Sequence, residues 1–245
     1  MPRKVGVLLK IFSNEKYKDE FLRGNLYMNT IDYFRKYEEN TDGNVADKNE
    51  ALSGWWQPNE IKIVIEVNGE KRELNPNDMS APVTLSMNAH DHANIFCMTH
   101  LHSHEIDMSR VTSIEEENKL REYFTLPEDM EKLGEHLVVI TDPMLFLQKT
   151  RNAAQMLIDA GQGFWYSAKQ ISYYDEVKSS LFLKNEMEAP FHKQKKYEHQ
   201  SEYRICFGRD NPNNVAKTLP IGDISDITVV TKTKEFNGLI EISRT

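Results

Sequence analysis

The chain has 245 residues, 39% of them apolar and 28% charged, and carries a net charge of −8 at neutral pH. That length allows one large domain or two small ones, burying roughly three quarters of the unfolded surface, and the acidic balance argues against a general phosphate-binding surface, which needs clustered Lys and Arg. Apolar runs such as 137–140 are too short to span a bilayer, and residues 1–10 hold no apolar stretch of signal-peptide length, so the sequence predicts a cytoplasmic protein that enters no membrane.

Residues 5–12 are aliphatic and predict a buried first strand. Ser13 can cap a helix over 15–23, where Tyr17 and Phe21 share a face and Gly24 supplies the stop. Residues 26–29 return as a strand, and 32–37 predict a short aromatic helix or turn. The polar stretch 38–59, with Asp42, Gly43 and Asn44, reads as a long loop ending in Trp55 and Trp56. Asn68 and Gly69, between 61–67 and 71–74, are the strongest short-range hairpin signal in the chain. Residues 83–87 and 94–99 add two strands. An acidic first turn suits a helix over 113–124. A strand over 137–141 leads to Asp142 and Pro143, which open a helix over 144–161. Further strands are expected over 170–174, 201–207, 219–220 and 227–231, and 239–243 closes the chain. No internal repeat or linker composition is evident, so residues 1–245 are expected to form a single α+β domain. Cys97 and Cys206 lie in apolar strand-like runs and predict buried free thiols, not a disulfide framework.

Three groups of residues could carry chemistry. His90, His92, His100, His102 and His104 crowd one segment, with Cys97, Asp91, Glu105 and Asp107 near them. Zinc takes such ligands, but no H-E-x-x-H helix or C-x-x-C pair is present, so a surface strand end and exposed loop without metal are expected. In a strand, Gln200, Glu202 and Arg204 share one face, and Ser201, Tyr203 and Ile205 the other. Arg204 beside Glu202 would keep the carboxylate ionised, and such a carboxylate suits a reaction that develops positive charge on a sugar. A solvated polar face on an amphipathic strand gives the same pattern. Lys193, Lys195 and Lys196 form a small basic patch just before it. The third group is Lys10 at the end of the first strand, followed by Tyr27, Asn29, Tyr33 and Arg35, where aromatic core packing is the alternative.

Together these segments form a recognisable series. Phe21 to Asn29 reads F-x-x-G-x-L-Y-x-N, then come Tyr33-Phe34-Arg35, a loop with Asp47 and Glu50, and Ile95-Phe96-Cys97-Met98-Thr99. Phe191 to Ile205 reads F-x-K-x-x-x-Y-x-x-Q-x-E-Y-R-I. The series resembles a broad bacterial and phage family related to mono-ADP-ribosyltransferases of the toxin and defence type. Lys10 stands where those folds usually carry Arg or His, and no Ser-Thr-Ser strand is present. The resemblance implies a mixed, split β-sheet core with flanking helices. It implies an NAD-dependent transferase, with NAD as substrate, that modifies a nucleic acid or protein acceptor and serves as a toxin or antiviral effector, with an antitoxin or regulatory partner. Glu202 would be the catalytic carboxylate and Gln200 would orient the acceptor. Lys10, Tyr27, Asn29, Tyr33 and Arg35 would hold NAD, with the phosphates on Arg35 or Lys10. Lys193, Lys195, Lys196 and Arg204 would meet the acceptor. Two alternatives stand beside it: a non-catalytic binding protein of the same fold, and a metal-dependent hydrolase built on the 90–104 cluster.

Overall fold

The computed structural model describes residues 4–38, 49–111, 113–181 and 187–242. β1 (Gly6–Phe12) runs into α1 (Glu15–Leu22). The cap of α1 is Asn14, one residue after the expected Ser13; its side chain accepts from the Lys16 amide. Phe21 on this helix is buried, whereas Tyr17, expected on the same face, is exposed. Gly24, at φ +83°, turns the chain into β2 (Asn25–Thr30), and α2 (Ile31–Glu38) follows.

The expected loop over 38–59 contains β3 (Leu52–Trp56). Leu52 and Trp55 bury against Tyr174, a contact from far along the chain that the polar surroundings concealed. Asp47 lies outside the described residues. β4 (Val64–Val67) and β5 (Glu70–Glu73) form the expected hairpin, with Asn68 at φ 55° and Gly69 at φ 82°, both left-handed as a type I′ turn requires. β6 (Val83–Ser86) pairs with β3, and the single-turn α3 (Asn88–Asp91) leads into β7 (Asn94–His102). α4 (Ile114–Tyr123) opens on a reciprocal capping box between Ser113 and Glu116. β8 (His136–Ile140) precedes α5 (Pro143–Asp159), capped by Asp142.

The single strand expected over 170–174 is two, β9 (Trp165–Gln170) and β10 (Ser172–Tyr174), parted at Ile171. β11 (Ser180–Leu181), β12 (His192–Gln194), β13 (Glu202–Gly208), β14 (Lys217–Pro220), β15 (Thr228–Lys232) and α6 (Phe236–Leu239) complete the order. The fold is α+β. Its eight-stranded sheet runs β14-β2-β7-β1-β8-β15, with β13 pairing β7 and β9 pairing β13. Every pairing in this sheet is antiparallel, so its expected mixed character is confined to the small parallel pair β10–β12 outside it.

β7 is the axis of the sheet. β13 pairs with it from Asn94 to Thr99, so β1 and β2 must share the opposite edge. β1 takes 99–102 and β2 takes Asn94 and Ile95. Residues 96–98 pair with neither, and the sheet opens there into a split, bridged below by α1. Side-chain alternation sends Leu8, Phe96, Met98, Ile205 and Phe207 into a core under Phe21, Phe146 and Ala154. Leu9, Leu101 and Leu137 pack on the opposite face with Leu120, Phe124 and Phe236.

Candidate functional site

The split is where backbone groups of β7 lose their neighbour. Lys10, on the diverging half of β1, donates from its ammonium to the Cys97 carbonyl at 2.6 Å. The same ammonium lies 4.5 Å from the centre of the Phe96 ring. Burial lowers its pKa, with Cys97 and Glu202 opposing that shift. Among the described residues no carboxylate forms an ion pair with it.

On the other side of β7, the first residue of β13 is Glu202. A 3-10 turn over Lys195–Gln200 precedes it, and Ser201 takes φ +42° to swing the chain into the strand. The Ser201 hydroxyl donates to the His100 carbonyl at 2.7 Å, which fixes that unusual conformation. The Glu202 amide donates to the Tyr173 hydroxyl at 2.8 Å. Glu202 is 5% exposed and Arg204 1%. The solvated polar face that a half-buried strand would show is therefore absent. Glu202 Oε1 accepts from Arg204 Nε at 2.8 Å, and Oε2 accepts from Lys193 Nζ at 2.9 Å. Lys193 also donates to Gln200 Oε1 at 3.0 Å. Arg204 reaches across to buried Glu50, at 2.6 and 3.2 Å, and to the Pro190 carbonyl at 2.6 Å.

Burial pushes the Glu202 carboxyl up, but Arg204 and Lys193 outweigh it and hold the group well below the usual carboxylate range. Burial likewise pulls Lys193 down, and Glu202 and Glu50 more than restore it. Cys97, against Glu202, is pushed up to about 12, by burial first and then by the carboxylate. It stays a neutral thiol and is no nucleophile at neutral pH.

These groups floor a cleft of about 1000 Å³ lined by Lys10, Tyr27, Asn29, Tyr33, Glu50, Cys97, Thr99, Lys193, Gln200, Glu202 and Arg204. Tyr27 is 62% exposed on its wall, and Tyr33 packs edge-on against Phe34 at 5.5 Å. Three of the residues singled out in sequence lie elsewhere. Arg35 donates from Nε to the Glu50 carbonyl at 2.8 Å and forms an ion pair with Asp91, so it ties α2 to α3 and does not line the cleft. Lys195 and Lys196 are exposed outside the cleft, with the Lys196 ammonium 4.8 Å from the Tyr197 ring centre. Lys193 is buried in the ion network, so the expected three-lysine patch is reduced to two. Sequence reasoning missed Tyr173 and the role of Glu50, which lies 154 residues from its partner Arg204 and leaves no local signal.

The histidines continue β7. The rings of His100 and His102 stack at 4.5 Å, His102 and His104 lie 3.9 Å apart, and Tyr123 closes the stack 4.3 Å from His104. The His104 amide donates to His102 Nδ1 at 3.2 Å, and the Gln170 amide lies 3.2 Å from His102 Nε2. Burial, and then the neighbouring rings, lower the pKa of His102 to about 4. Among the described residues no group of three or more His, Cys, Asp and Glu side chains is placed to hold a metal ion. No described helix is long and apolar enough to cross a membrane. Comparison with protein-family models, curated proteins and solved structures gives no match, so the reading of the cleft rests on its geometry.

Proposed function

We propose that the chain is an NAD-dependent mono-ADP-ribosyltransferase acting on a macromolecular acceptor, protein or nucleic acid, within the cytoplasm. The observation that carries this reading is Glu202, an ionised carboxylate held at the floor of a cleft by two cations that line the same cleft. Breaking the bond from nicotinamide to ribose sends the electron pair out with nicotinamide and leaves a cationic sugar. A fixed negative charge beside that sugar stabilises the transition state without reorganising, usually the largest catalytic contribution. Gln200, beside Lys193 on the same floor, orients the acceptor, whose nucleophile adds to the anomeric carbon and releases its proton. Tyr27 and Tyr33 offer flat faces for nicotinamide or adenine. Lys10, a half-buried cation with no carboxylate in an ion pair with it among the described residues, is the group suited to the pyrophosphate. Arg35, committed to Asp91, no longer fills that role. A toxin or antiviral role, with a partner that restrains it, belongs to the same reading.

The test is incubation of the purified protein with labelled NAD and cell extract, followed by protease or nuclease digestion to find the labelled polymer. Glu202→Gln should lower transfer by roughly 10²–10³-fold, with NAD affinity by calorimetry little changed. Tyr27→Ala, at an exposed wall position, should weaken NAD binding. Absence of both labelling and NAD binding in the parent overturns the proposal. A second reading is favoured by the closure of the ion network, in which Glu50, Glu202, Lys193 and Arg204 each have an opposite partner. A non-catalytic binding protein of the same architecture would show NAD binding without transfer.

A further inference from the structure

The β4–β5 hairpin stands apart from the cleft and from the main sheet. All eight residues of its two strands are exposed, Val64, Ile65 and Val67 among them. A two-stranded ribbon is marginal alone in water. Among the described residues β4 has β5 along one edge and no strand along the other. The Leu74 amide donates to the Ile63 carbonyl at 2.9 Å. Backbone direction alternates along a strand, so residues 63, 65 and 67 turn their amides and carbonyls toward β5. Lys62, Val64 and Glu66 turn theirs to the open edge.

We propose that this edge pairs, antiparallel, with the same edge of a second copy of the chain, about a two-fold axis at Val64. The sequence from Ile61 to Val67, I-K-I-V-I-E-V, is complementary to itself in that register alone. Val64 faces the second copy's Val64 and exchanges both backbone hydrogen bonds with it. Ile63 faces Ile65, Ile61 faces Val67, and Lys62 faces Glu66, twice by symmetry. Each pair joins residues of the same parity, so its members lie on the same face of the joined sheet, as antiparallel neighbours must. Within one copy Glu66 lies opposite Lys71, and Lys62 forms an ion pair with Glu73. The joined four-stranded sheet therefore carries a row of alternating charge, Lys71, Glu66, then Lys62 and Glu73 of the second copy. The opposite face carries a row of Ile65 and Ile63. Moving the axis to Lys62 or Glu66 sets like charges against each other. Moving it to Ile63 or Ile65 leaves both charges without an opposite. The exposed edge of β15 has no such symmetry: its T-V-V-T run is palindromic about a bond, which would oppose residues from different faces.

Sedimentation equilibrium of the full chain tests this through charge exchange. The parent should form dimers. Lys62→Glu and Glu66→Lys, each alone, should weaken self-association roughly tenfold or more, because each sets like charges opposite one another at two symmetric places. An equimolar mixture of the two variants should form a heterodimer, since every Glu then faces a Lys. A fold defect could not be repaired by mixing. A parent that stays monomeric, single variants that dimerise like the parent, or a mixture that stays monomeric overturns the proposal.

Discussion

Arg204 donates to Glu50, to Glu202 and to the Pro190 carbonyl at once, and Lys193 holds the other Glu202 oxygen. Replacing Glu202 by Gln keeps the shape but leaves two buried cations facing one remaining carboxylate. Breaking a buried pair by removing one partner costs about 3–5 kcal/mol, so Glu202→Gln and Arg204→Met should each lower unfolding free energy by about that amount in denaturant titrations. An exposed pair, which the sequence pattern equally allowed, would cost at most about 1 kcal/mol, and a loss that small in both variants would contradict the buried network. Strand alternation was enough to put Glu202 and Arg204 on one face. It could not show whether that face met water, because burial here comes from Glu50, Tyr173 and Lys193, contributed by other parts of the chain. Arg35 failed as a cleft residue for a related reason: its partner Asp91 lies on α3, and no local signal marks that pairing.

Elements with a local cause were legible, and those made by distant contacts were not. Asn68-Gly69 fixes its hairpin and Ser113 with Glu116 fixes the start of α4, whereas β3 owes its strand to burial against Tyr174. Gly24 joins both kinds of cause. Its positive φ ends α1, and an added Cβ would lie 1.9 Å from the Gly222 carbonyl oxygen, on backbone that cannot step aside. Gly24→Ala should therefore destabilise at the severe end of single substitutions, about 4 kcal/mol or more, while Gly238→Ala, with open space at its Cβ, should change the melting temperature little. The end of β7, together with His192 on β12, makes a prediction about pH. His100, His102 and His192 have folded pKa values below the ordinary 6.5, in each case through burial first, that of His102 reaching about 4. Between those values and 6.5 the unfolded chain binds more protons than the folded one, so stability rises with pH there and falls on acidification. The melting temperature should drop from pH 7 to pH 5, and His102→Gln should flatten the drop. A flat profile in the parent would mean that the stacked imidazoles titrate normally.

The cleft is lined by elements from distant parts of the chain. Its floor comes from β13 and β7, one wall from β2 and α2, the other from β1, and Glu50 enters from the segment before β3. A ligand filling it touches all of these and binds the folded chain alone, so it must raise stability by mass action. At a ligand concentration one hundred times its dissociation constant the gain is about 2.7 kcal/mol. For a chain of this size each kcal/mol moves the midpoint by about 2–4 °C, so saturating NAD should raise the melting temperature by roughly 5–10 °C under the proposed function. Lys10→Met, which keeps an unbranched apolar side chain but removes the cation, should shrink that shift. Lys195→Ala and Lys196→Ala, outside the cleft, should leave it intact. The shift needs no turnover, so it separates binding from catalysis: a catalytically dead chain that still binds shows it, and a cleft that serves another ligand does not. If NAD leaves the parent's melting temperature unmoved at millimolar concentration, the cleft does not take NAD, and the role of Glu202 as a ribosyl-cation stabiliser falls with it.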